Sequence, residues 1–190
     1  MKKTITGLVA LLLLTACGAE SPTGAEMPVI TVFGVIEAEP TRAAMDPDIE
    51  PLFSQYGLVF EAAAELSWSQ LAALEQHRID TDYPAGGPVR HFSGPLLRDV
   101  LDLVRPREEE IVVTAVDGYQ RSMARMTLDV HDVILAIRLD GDPIPLGGFG
   151  PAMIVWPRAQ DQALNGMPDD DWVWGVFAIE VRAESGSLAP

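Results

Sequence analysis

Trp172 and Trp174 stand two residues apart in WVWGVFAIEVR, a stretch whose apolar, β-branched character predicts a strand over 172–182. Positions i and i+2 of a strand share a face, so both rings are expected on one side of a sheet. Trp156 closes a neighbouring apolar run, and Tyr83 and Tyr119 sit at turns. Beside these turn aromatics lie Asp82 and Asp117, Arg90 and Arg121. Rings that stack, a carboxylate for an amino–imino edge and a guanidinium for a carbonyl edge are what recognition of a flat heterocycle requires. The same residues also suit core packing with a few surface aromatics, and Trp68 belongs to that second reading.

Other chemistries are poorly served. His77, His91 and His131 lie far apart with no i, i+4 pair, so a zinc site is not expected. Asp140 with Asp142, and Asp169-Asp170-Asp171, lack the spacing of a calcium-binding loop and read as solvated turns. The chain has no Gly-x-Ser-x-Gly elbow and no Gly-Lys-Ser/Thr phosphate loop. Twenty-eight acidic side chains against 13 basic ones give a net charge of −15, which repels nucleic acid and anionic lipid.

The elements that must position these residues are short. The run 28–37 (PVITVFGVIE) predicts a first strand, and 39–55 a loop. A strand within 58–65 leads into a helix opened by Ser67 and Gln70, which have capping-box spacing, and closed near His77. A strand over 78–83 runs into the breaker-rich loop 84–88. Leu97, Val100, Leu101 and Val104 line one face of the next helix. Strands are predicted over 111–116, 123–128 and 134–139, with a helical turn over 129–133. The stretch DGDPIPLGGFGPAMIVWP (140–157) turns at Gly141 and carries Gly147, Gly148 and Gly150 ahead of a short apolar strand. Such glycines serve either a tight hairpin or the rim of a pocket where a ligand approaches the backbone. A polar loop over 158–171 precedes the closing strand. Many short strands with few short helices indicate an α+β domain with mixed β-sheets.

The N-terminus predicts export. Lys2 and Lys3 precede a short apolar segment that ends in Leu14-Thr15-Ala16-Cys17, which resembles a bacterial lipobox. Cys17 is the only cysteine, which fits acylation better than disulfide formation. The expected organisation is a signal peptide over 1–16, a tether over 17–27, a domain over 28–183 and a tail over 184–190. Gly18 after the cysteine favours the periplasmic side of the outer membrane over retention at the inner one. No apolar run reaches the roughly 20 residues of a membrane-spanning helix.

Five motifs in order then carry a resemblance. They are FSGPLLRDVL (92–101), VDGY (116–119), ILA (134–136) with Asp140-Gly141, GPAMIVWP (150–157) and WVWGVFAIEV (172–181). This order resembles the molybdopterin-binding domain of the sulfite-oxidase fold, and more narrowly its short stand-alone periplasmic members, over most of 29–181. In the catalytic members a cysteine thiolate binds molybdenum in the loop before the segment matching 92–101. Here that loop, 81–91, holds no cysteine, and neither Thr81 nor Asp82 replaces a soft thiolate.

The resemblance therefore implies a pterin slot without metal. Trp172, Trp174 and Tyr83, then Tyr119 and Trp156, would stack on the pterin. Asp82 or Asp117 would accept its amino edge, Thr81, Arg90 and Arg121 would supply further polar contacts, and Gly150 would belong to the floor. It further implies a non-catalytic sensor whose partner is the periplasmic sensor domain of a membrane protein, such as a cyclic-di-GMP enzyme. The alternatives are a molybdopterin-dependent oxidoreductase with a non-cysteine metal ligand, and an interaction domain with a vestigial pocket.

Overall fold

The computed structural model describes residues 26–183. The expected signal peptide, Cys17, most of the expected tether and the 184–190 stretch lie outside the described residues. β1 (Pro28–Gly34) is buried on both faces from Ile30 to Phe33, which places it centrally. It pairs in parallel with β12 (Val176–Arg182) and antiparallel with β3 (Ala62–Ser67). β6 (Glu110–Ala115) and β7 (Gln120–Ala124) extend the sheet beyond β12, and β2 (Arg42–Ala43) closes it beyond β3. Six strands thus form the main sheet.

A second sheet has the order β10-β9-β5-β4, from β4 (His77–Asp82), β5 (Val89–Gly94), β9 (Arg138–Leu139) and β10 (Asp142–Pro143). β8 (Ile134–Ala136) and β11 (Met153–Val155) form a third, fully buried pair. Four short helices complete an α+β architecture: α1 (Pro51–Gln55), α2 (Trp68–Ala73), α3 (Leu97–Asp102) and α4 (Arg125–Val130). α2 opens on the expected capping box, with Ser67 Oγ accepting from Gln70 N–H and Gln70 Oε1 accepting from Ser67 N–H. α3 buries Leu97, Val100 and Leu101, and Val104 continues that stripe into the core.

Several boundaries differ from the sequence expectation for identifiable reasons. The stretch 39–55 is not all loop, because Pro51 opens a helical turn that buries Phe53 beside Phe33 and Phe60. The helix after Ser67 ends at Ala73, short of His77. β5 gives little apolar signal, since Val89, Arg90 and His91 are exposed; its pairing with β4 holds it in place. Met123–Leu128 is not a strand, because β7 ends at Ala124 and α4 begins at Arg125. The apolar Met126 misleads there, as it lies on the exposed side of the helix.

Candidate functional site

Trp172 does not belong to the closing strand. It follows a 3-10 turn at Asp169–Asp171, and Gly175, at φ +68°, bends the chain before β12 starts at Val176. The two indoles consequently differ: Trp172 is 2% exposed and Trp174 is 36% exposed. The shared face expected from their spacing is not a shared strand face. Both rings nevertheless line one pocket of about 290 Å³, at the lower end of small-ligand sites.

Two other segments, the β6–β7 turn and Tyr83 after β4, complete the pocket. The β6–β7 turn contributes Asp117 and Tyr119, and is shaped by Gly118 at φ +87° and by an Asx contact from Tyr119 N–H to Asp117 Oδ1 at 3.0 Å. Tyr119 Oη donates to the Asp170 carbonyl at 2.9 Å, which ties this turn to the 3-10 turn. Tyr83 enters from the end of β4 and stacks on Trp172, with ring centroids 5.3 Å apart and planes 14° from parallel. Phe149 packs edge-on against Tyr83, also at 5.3 Å. Tyr83 and Trp172 are therefore in direct stacking contact, with no gap for a third ring between them. Open ring surface is offered by Trp174 and Tyr119.

Beneath the stack sits Arg158, whose side chain is only 8% exposed. Its guanidinium lies 4.7 Å from the Trp172 ring centre and donates to Asp169 Oδ1 (2.6 Å), Asp82 O (2.8 Å), Asp82 Oδ1 (3.2 Å) and Met167 O (2.9 Å). Burial works against its charge, yet the hydrogen bonds to Asp169 and Asp82 keep its pKa above the ordinary arginine value. Asp82 is correspondingly held below the usual aspartate value, first by the Gly86 N–H at 2.6 Å and then by Arg158. Asp169 also accepts the Ala85 N–H at 2.9 Å. Burial raises the pKa of Tyr83.

Of the residues singled out in the sequence, the fold brings Tyr83, Asp117, Tyr119, Trp172 and Trp174 to the pocket wall. The others are placed elsewhere. Thr81 is fully buried, and its Oγ1 has no partner among the described residues. Asp82 has both carboxylate oxygens bonded and braces Arg158. Arg90 pairs with Asp140 at 2.7 Å by the β9–β10 hairpin. Arg121 pairs with Asp171 at 2.7 Å. Trp156 is buried, and its Nε1 donates to the Asp171 carbonyl at 2.9 Å. Gly150 is needed for contact with the chain itself, since a Cβ there would lie 2.2 Å from the Ile144 carbonyl oxygen. Its bare backbone is already covered, and the 140–157 stretch touches the pocket wall only from behind, where Phe149 packs on Tyr83. The Asp140-Gly141 turn has φ of +52° and +94°, which suits a two-residue hairpin linking β9 and β10.

From the sequence, Arg158 is passed over and Asp169 and Asp170 read as a solvated turn, whereas both aspartates line the pocket. One signal was present: Arg158 is the sole basic residue between Arg138 and Arg182.

The electrostatics are one-sided. Asp117, Asp169 and Asp170 line the pocket, and none of its lining residues is basic. The anionic donor atoms of the pocket are carboxylate oxygens, unlike the soft thiolate that binds molybdenum in the catalytic members that the sequence resembles. No group of three or more His, Cys, Asp or Glu suited to a metal occurs among the described residues, and the Asp82 carboxylate is engaged by Gly86 and Arg158.

Comparison with known proteins settles the architecture. No family model matches the chain, and no curated protein does. Among solved structures the chain is similar to the sulfane dehydrogenase SoxCD from Paracoccus pantotrophus, at 13% identity and a TM-score of 0.53 over 81% of its length. It spans 38% of that chain. The likeness establishes a sulfite-oxidase-like fold, with mixed sheets and short helices as expected from the motif order.

Proposed function

We propose that this chain binds a pterin without catalysing its turnover, and that the pterin it takes carries no phosphate. The observation that supports this reading is the pocket's composition. Exposed ring surface at Trp174 and Tyr119 lies beside Asp117 and Asp170, and the lining holds no basic side chain. The amino–imino edge of a pterin donates hydrogen bonds, which carboxylates accept well. A phosphate or a nucleotide tail would instead meet like charge. The ligand stacks on Trp174 and Tyr119, with the Tyr83–Trp172 pair as a rigid wall.

The oxidoreductase alternative would have to replace a soft thiolate with the hard carboxylates of the pocket, Asp117, Asp169 and Asp170. We further propose, from the lipobox-like LTAC and the resemblance to short periplasmic pterin-binding proteins, a lipoprotein acylated at Cys17 on the periplasmic side of the outer membrane. In that setting the loaded protein signals to the periplasmic sensor domain of a membrane protein, such as a cyclic-di-GMP enzyme.

Fluorescence and calorimetric titration with oxidised and tetrahydro forms of a free pterin tests the first step. Saturable binding is expected, and Trp174→Ala should weaken it by about tenfold, the worth of one aromatic stacking contact. Absence of heat and quenching with both redox forms refutes the binding reading. Stoichiometric molybdenum in protein expressed with molybdate would establish the oxidoreductase in its place.

A further inference from the structure

A second cavity, of about 350 Å³, opens elsewhere on the domain and is lined by Pro157 and Gln160. Its lining is unlike that of the aromatic pocket. His77 comes from the start of β4, Arg98 from α3, His131 and Asp132 from the end of α4, and Asp161 from the chain after Pro157. We propose that this cavity binds a small oxyanion, a carboxylate or a phosphate, through Arg98, His77 and Gln160.

The argument counts donors and acceptors. Both carboxylates already hold partners. Asp161 accepts His131 Nδ1 on Oδ2 at 2.7 Å and the Ala163 N–H on Oδ1 at 2.9 Å, and Asp132 accepts Arg98 on Oδ1 at 2.5 Å. Asp161 lies below the usual aspartate pKa, chiefly through the His131 bond, so it stays ionised and accepts only. His131 Nδ1 then carries the proton in that bond, which leaves Nε2 of the neutral ring an acceptor, so His131 lines the cavity without donating to it.

The donors are less fully used. Arg98 spends one amino nitrogen on Asp132 and on the Asp129 carbonyl at 2.8 Å, leaving Nε and its second amino group without a partner among the described residues. His77 Nε2 is covered and also has no partner there. Gln160 adds an amide to the lining, with no side-chain hydrogen bond among the described residues. Arg78, at the edge, is taken by Asp80 and His91. Unused nitrogen donors around a cavity whose carboxylates are each already paired, Asp161 with His131 and Asp132 with Arg98, call for a ligand that is rich in acceptors. A cation finds no open carboxylate pair, and no metal-binding group is present among the described residues.

The test is NMR of the histidine imidazoles in the detergent-solubilised full chain, titrated separately with inorganic phosphate and with succinate. Sodium chloride at equal ionic strength is the reference. Saturable shifts of His77 and His131 are expected with at least one oxyanion, and which of the two saturates assigns the ligand class. Arg98→Gln should weaken binding roughly tenfold, the loss of a charge-assisted hydrogen bond. Trp174→Ala, in the other pocket, should leave it unchanged. Where circular dichroism shows Arg98→Gln unfolded, His77→Gln carries the same expectation. Shifts that stay linear with both anions, or saturation unaltered in every folded variant, overturn the proposal.

Discussion

Arg158→Met is the most informative perturbation of the aromatic pocket, because it removes the charge while keeping much of the side-chain volume. The wild-type guanidinium is nearly buried and makes four hydrogen bonds, two of them to carboxylates, besides its contact with Trp172. Breaking one side of a fully buried ion pair costs about 3–5 kcal/mol. Here the partner carboxylates keep 28% and 31% of their side-chain exposure, so water solvates part of what is left behind. That argues for the low end, about 3 kcal/mol, well above the ~0–1 kcal/mol of a surface pair. For a chain of this size the loss lowers Tm by about 6–12 °C. Urea and thermal denaturation measure it. Asp169→Asn in the Arg158→Met background should recover part of the loss by removing one uncompensated charge. Arg158→Lys should rescue poorly, since a single ammonium cannot reach Asp82, Asp169 and Met167 together. A loss under about 1 kcal/mol would show that Arg158 behaves as a surface pair, refuting the view that it holds the pocket wall.

Three further outcomes follow. Gly94→Ala would place a Cβ 2.0 Å from the Leu135 carbonyl oxygen, where β5 crosses β8, so loss of several kcal/mol or failure to fold is expected, read by urea denaturation. Ser67→Ala removes the acceptor for Gln70 N–H and should cost about 1 kcal/mol by the same assay, whereas Ser67→Asp should cost much less. Asp80 is held at a pKa of about 2, first by hydrogen bonding to Arg78 and then to His91. A depressed carboxylate pKa stabilises the fold above the unfolded value and ceases to do so as pH falls through the folded value, so this contribution fades between about pH 4 and pH 2. In an NMR titration Arg78→Ala should bring the Asp80 midpoint back towards its ordinary value.

Local signals were legible in the sequence, and long-range ones were not. The Ser67–Gln70 capping box, the Leu97/Val100/Leu101 stripe and the Asp117-Gly118 turn each depend on residues within four positions of one another. Arg158 has partners 76 and 11 residues away, so nothing in its neighbourhood marks it as a pocket residue. The face-sharing rule placed Trp172 and Trp174 together because it assumed a continuous strand. Gly175 breaks that strand, and the indoles meet at one pocket by loop geometry. Arg90 and Arg121 failed as recognition arginines because Asp140 and Asp171 had already engaged them. In an acidic chain most arginines are taken up by internal pairs, and sequence position cannot say which remain free.

That competition also decides what the aromatic pocket selects. Arg158, the guanidinium against Trp172, spends both amino groups on Asp82, Asp169 and main-chain carbonyls and is not part of the pocket lining. The pocket field is set by the remaining carboxylates, Asp117 and Asp170, at a rim open enough to leave Tyr119 and Trp174 partly exposed. At about 4 Å a like-charge contact costs roughly 1 kcal/mol in bulk water and about 4 kcal/mol near a protein surface. One such contact with a phosphate therefore disfavours binding by about five- to several-hundred-fold, before any stacking is considered. Aromatic faces alone accept any flat ring; the acidic rim restricts them to neutral or amino-rich ones. Replacing Asp117 and Asp170 with asparagine should narrow the gap between a free pterin and a phosphorylated one, while the affinity for the free pterin falls. A gap that stays unchanged would mean that shape, not charge, sets the selection.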